Sequence, residues 1–216
     1  LETAMTGQDA QGNPEMLRPT SWGIRVVAGA DQGSADPAAV QRGPGDIELA
    51  NAAVLRTGTN DLEVNAARNI ILGAGSAIYT GGYNLGLSEN VAAVIPTQGV
   101  FNADTRFNQW LGGGTNFTVD GGDIRVSAGG SIESMGEQGL PTEWQPRIGE
   151  AEIAVSGVAG VGGSGGGAIP THWGIAFSRF ADAVGALGGG RVDVRAGADL
   201  VNLSVALPTT GRAIAG

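Results

Sequence analysis

One short unit recurs along this chain, and it constrains the fold more than any other feature. Five segments share it: 23–31, 45–54, 60–70, 122–132 and 190–200. Each reads apolar, any residue, apolar, usually one more residue, then a turn of small residues. In the last four a polar residue opens the unit (Asp46, Asp61, Asp123, Arg191). Side chains alternate along a strand, so the apolar pair points one way. The residue between them (Glu48, Glu63, Arg125, Asp193) points the other way. A second short apolar stretch follows the small turn at 54–57, 70–72, 77–80 and 200–205.

A unit with one dry face and one charged face cannot bury the dry face alone. Stacking such units pairs every backbone group with the unit above and below, at about 4.8 Å per step. The chain holds 39 Gly, many of them at these corners, where tight turns and close backbone approach are needed. A sandwich of hairpins also explains alternation, but does not require the same unit with the same small-residue corner. The expected fold is therefore all-β: a right-handed parallel β-helix, one solenoid domain over 1–216.

The repeat is interrupted twice, at about 81–120 and 135–189, and both stretches read as insertions hung from a regular stack. The first carries Phe101, Phe107, Trp110 and Phe117; the second contains a nearly pure Gly tract at 160–167. From Trp173 the large apolar residues fall at Phe177, Phe180, Val184 and Leu187. That 4, 3, 4, 3 spacing predicts a short amphipathic helix over about 172–187, with Thr171 as N-cap and Gly188 as its stop.

The residue inventory closes off several chemistries. There is no Cys, hence no disulfide framework and no thiolate site. A net charge of −9 lacks the cationic footprint that nucleic acid requires. No run of about 18 apolar residues is available to span a membrane. The chain begins at Leu1 with no basic-then-apolar leader, which reads as an interior segment or mature product of a larger protein. His172 is the only histidine and cannot build a multi-histidine metal site. No calcium-binding Gly-Gly-x-Gly-x-Asp repeat and no phosphate-binding glycine motif is present. Asp46, Asp61 and Asp123 recur at one repeat position, where a carboxylate acts more readily as a backbone cap than as half of a sugar-cleaving pair. No catalytic, cofactor or metal site is expected. Phe101, Phe107 and Trp110 remain weak candidates for a glycan-stacking platform, against filling a small satellite core.

Two stretches resemble a known family. The run Gly45-Asp-Ile-Glu-Leu through Thr59 with Ala66 to Thr80, and the run Phe177 to Gly190 followed by Val192 to Gly211, are similar to filamentous haemagglutinin-like proteins. The resemblance runs from about Ser21 to Arg212. It implies a secreted segment of a surface adhesin of a Gram-negative bacterium, active in adhesion, biofilm or cell contact. It further implies an outer-membrane transporter as partner during export, and no catalytic residue. A host or bacterial surface glycan or protein is the expected receptor class, and open solenoid ends allow end-to-end self-association. The alternatives are a carbohydrate-binding module and a polysaccharide-degrading β-helix enzyme.

Overall fold

A computed structural model describes residues 20–83, 118–137, 144–145 and 174–209, and the backbone of short strands at 2–3, 5–8, 14–17, 84, 115–116, 147–148, 152–153, 167–168 and 172–173. It is all-β with almost no helix. Three four-stranded sheets dominate. The first holds Ile24–Ala28, Leu62–Ala66, Ile124–Ala128 and Val192–Ala196. The second holds Ile47–Leu49, Ile70–Leu72, Ile132–Ser134 and Leu200–Val201. The third holds Val54–Thr57, Ala77–Thr80, Ala183–Ala186 and Ser204–Ala206. All pairing within these sheets is parallel, and the chain visits the sheets in the same order each time. One strand from each sheet makes a rung, and there are four rungs among the described residues.

The register follows from the repeat. Ile24, Leu62, Ile124 and Val192 lie side by side, as do Val26, Val64, Val126 and Val194, and then four alanines, Ala28, Ala66, Ala128 and Ala196. A slip by one residue would turn every apolar side chain outward, so burial fixes the pairing. The inward residues of all three sheets meet in one apolar cluster that includes Leu62, Val126, Ile70, Ile132, Ile78 and Val184. Each large aliphatic chain buried there contributes about 1.5–3 kcal/mol.

The small-residue corner has a steric cause. A Cβ on Gly129 would collide with the Ala67 carbonyl oxygen, and one on Gly197 with the Gly129 carbonyl oxygen. Backbones thus stack in contact where the chain turns from the first sheet to the second. At the corner leading into the last rung, Gly190 has φ +103, and a Cβ there would lie 2.5 Å from the Gly122 oxygen. Only glycine combines that dihedral with that proximity.

Three sequence expectations change. The five repeats are not equivalent: four supply first-sheet strands, whereas Ile47–Leu49 pairs with Ile70–Leu72 in the second sheet. The helix expected over 172–187 does not form. That span contains strands His172–Trp173, Ile175–Ala176 and Ala183–Ala186 and one 3-10 turn, Phe177–Arg179. Ala183–Ala186 lies between Ala77–Thr80 and Ser204–Ala206 and bonds to both, completing the third sheet. Its Val184 enters the shared cluster, while Phe177, Phe180 and Leu187 belong to a second one, so no single helical stripe could serve both. The second interruption accordingly ends before Ala183, inside the span 135–189.

That second cluster covers the outer face of the third sheet. Tyr79 stands 5.4 Å from Phe177 and 5.7 Å from Phe180, and Trp144 meets Phe180 edge-on at 5.1 Å (ring centroids). Gly185 leaves room for the Phe180 ring, since a Cβ would sit 2.7 Å from its Cζ.

Candidate functional site

The chemistry-bearing side chains of the stack gather on the outer face of the first sheet and along its corners. The outward position after the first apolar residue of each strand reads Arg25, Glu63, Arg125, Asp193. Charge alternates rung by rung because in-register parallel pairing places these residues side by side. Arg25 Nε lies 2.6 Å from Glu63 Oε2, and Arg125 Nη1 lies 3.7 Å from Glu63 Oε1. Asp193 is held by its strand neighbour Arg195, at 2.9 and 2.7 Å. Burial pushes the Glu63 carboxyl up, but hydrogen bonds from Arg25 and Asn65 and the nearby Arg25 and Arg125 charges outweigh it and hold the group below its ordinary value. The Arg195 hydrogen bond likewise holds Asp193 low. Pairs as exposed as these are screened by solvent and add little to stability. These residues line a shallow groove of about 410 Å³.

Asp61 and Asp123 border that groove, and their role is now visible. Asp61 Oδ1 accepts the Asp123 backbone N–H at 2.9 Å, and Asp123 Oδ1 accepts the Arg191 N–H at 2.8 Å. Each carboxylate caps the backbone of the next rung at the sheet corner, as the sequence suggested. Asp46 belongs to a different corner, before the second sheet. There its Oδ1 accepts the Asn69 N–H at 3.0 Å, Asn69 Oδ1 accepts from Ser131 at 3.0 Å, and Ser131 Oγ accepts from Asp199 at 3.3 Å. Arg68 grips the Asp46 carboxylate through Nε at 2.7 Å and through Nη2, and this hydrogen bonding lowers the Asp46 pKa.

The Asp46–Asn69–Ser131–Asp199 column was not read from the sequence. Four rungs carry three residue types there, linked only by a side-chain oxygen and by preceding Ile47, Ile70, Ile132 and Leu200. That shared placement was the available signal. Each of the three aspartates accepts a backbone N–H from the neighbouring rung. Among the described residues, no group of three or more His, Asp or Glu is placed to hold a metal ion.

Phe101, Phe107 and Trp110 lie outside the described residues. His172 is placed by backbone only, opposite Ile148 in an antiparallel pair. One aromatic that the sequence did not single out stands free: Trp22 is 90% exposed. It edges a second groove, of about 350 Å³, with Ser21, Arg56, Thr57 and Gly81.

No protein-family model, no curated protein and no solved structure matches the chain. The geometry defines a stack of parallel sheets whose first sheet carries a polar, charge-alternating outer face.

Proposed function

We propose that this chain is a stretch of right-handed parallel β-helix from a secreted bacterial surface adhesin of the filamentous haemagglutinin type. Its task is mechanical: to hold a binding region away from the cell as part of a stiff shaft. It works by adhesion and spacing, with no turnover chemistry and no cofactor. An outer-membrane transporter of a Gram-negative bacterium exports it, and its receptor is a glycan or protein on a host or bacterial surface. One observation supports this reading above the others, the in-register repetition of the same three-strand rung around a continuous apolar cluster. Such a column lengthens by adding rungs without changing its cross-section, which is what a shaft needs.

The test is surface labelling. Antibodies raised against the purified chain should label intact cells of the source bacterium, and labelling should vanish when the outer-membrane transporter is deleted. Labelling only after permeabilisation would overturn the proposal.

A second reading, a carbohydrate-binding module, draws on Trp22. A free indole face beside a groove that also holds Arg56 suits stacking on a pyranose that carries a carboxylate. On this reading a glycan array shows specific binding that Trp22→Ala abolishes; an array without signal removes it.

A further inference from the structure

We propose that the outer face of the first sheet docks a second copy of this chain. The two copies lie flank to flank with their rungs in opposite order, so that Arg25 meets Asp193 and Glu63 meets Arg125 across the contact. The contact uses the side of the stack. It is independent of what precedes the first described rung or follows the last, and of the surface-adhesin reading.

In-register parallel pairing builds this face. It places Arg25, Glu63, Arg125 and Asp193 in one outward row, which reads plus, minus, plus, minus along the stack. The arginines reach well into solvent: the Arg25 side chain is 46% exposed and that of Arg125 62%. Arg125 is the least engaged of the four. Its one ion pair among the described residues, with Glu63, is 3.7 Å long. A guanidinium carries five N–H donors in a fixed fork, so most of that capacity is left for a partner. The next outward row holds Val27, Asn65, Ser127 and Arg195. The first three are short and at most half-exposed, which lets a second face approach.

The order of the charges selects both the occupant and its orientation. Read backwards, plus, minus, plus, minus becomes its own complement. A two-fold axis parallel to the strands, passing between Glu63 and Arg125, therefore sets four opposite-charge pairs across the contact. Two are Arg25 with Asp193 and two are Glu63 with Arg125. The same operation places Val27 opposite Arg195 and Asn65 opposite Ser127, so no like charges meet. Copies with rungs in the same order would instead set Arg25 against Arg25 and Glu63 against Glu63. A second copy also shares the rung spacing of about 4.8 Å, so all four pairs are met at once. Contact through the same patch on both copies closes as a dimer. Four strands of five residues make a small face, which puts this dimer among weak interfaces, with charge setting its orientation more than its affinity.

Charge reversal tests this. In Arg125→Glu the row reads plus, minus, minus, minus; in Glu63→Arg it reads plus, plus, plus, minus. Neither complements itself, but each complements the other at all four positions. In sedimentation equilibrium the unaltered chain should approach twice its monomer mass as its concentration rises to about 1 mM. Salt at about 1 M, where the screening length is about 3 Å, should return it to monomer. Each reversal variant alone should stay monomeric, and an equal mixture of the two should dimerise as the unaltered chain does. Arg25→Asp and Asp193→Arg form a second such pair, used if circular dichroism shows either of the first two unfolded. An unaltered chain that stays monomeric throughout would overturn the proposal. So would self-association that a reversal leaves unchanged, or a mixture that stays monomeric.

Discussion

Val126 and Val194 are the same residue in the same column, one rung apart, yet their surroundings differ. Val126 has a rung on each side and is wholly buried, whereas Val194 has, among the described residues, a rung on one side only and is partly exposed. The same contrast separates Ile132 from Leu200. The repeat makes rungs chemically alike; position in the stack decides what each residue contributes. Stability in such a molecule is a sum over contacts between neighbouring rungs, and end rungs have half of them.

The largest effect should come from a charge in the column. Val126→Asp strands an uncompensated carboxylate where nothing can solvate it, a cost beyond about 4 kcal/mol. Circular dichroism should show this variant unfolded at room temperature, while Val194→Asp stays folded with a lowered Tm. Equal damage from both would erase the contrast between inner and end rungs.

Truncation should follow at smaller size. Ile132→Ala removes fully buried methyl groups and should cost about 2–5 kcal/mol in urea unfolding. Leu200→Ala, at an exposed position, should cost under about 0.5 kcal/mol.

Acid should separate inner from end rungs again. The Glu63 carboxyl lies below its ordinary value when folded and near about 4.3 when unfolded. Its contribution is therefore complete above about pH 5 and is lost as pH falls through the folded value. Unfolding free energy should thus decline below about pH 5, and Glu63→Gln should flatten that decline more than Asp193→Asn, because Glu63 joins two rungs through Arg25 and Arg125. An unchanged acid limb in Glu63→Gln would show that the inter-rung pairs carry no stability.

The smallest effect concerns Ser134. It occupies the position of Leu72 one rung away, is buried, and its hydroxyl has no hydrogen-bond partner among the described residues. Ser134→Ala should leave stability unchanged or raise it by about 1 kcal/mol, read as a higher Tm.

Much of this was legible in the sequence, for physical reasons. A two-residue alternation closed by Ala-Gly specifies both a buried face and a corner, which is why the first-sheet strands and the capping role of Asp61 and Asp123 could be read directly. The sheet to which Ile47–Leu49 belongs could not. Its Ile-Glu-Leu has the same alternation as Leu-Glu-Val at 62–64, and only pairing to Ile70–Leu72 distinguishes them. Ala183–Ala186 was hidden for another reason. Ala-Val-Gly-Ala carries little strand signal of its own, and its conformation is imposed by the open edge of Ala77–Thr80. The spacing of Phe177, Phe180 and Leu187 then mimicked a helix because all three answer to one aromatic cluster.

The chain's lack of cysteine allows the register itself to be measured. Parallel in-register neighbours stand about 4.8 Å apart, within disulfide reach, whereas residues two rungs apart stand at about twice that and are out of reach. Ser127→Cys combined with Arg195→Cys should oxidise readily to an intramolecular disulfide, as should Asn65→Cys with Ser127→Cys. Asn65→Cys with Arg195→Cys should remain reduced. Linkage of that last pair, or none in the first two, would contradict the stacked arrangement.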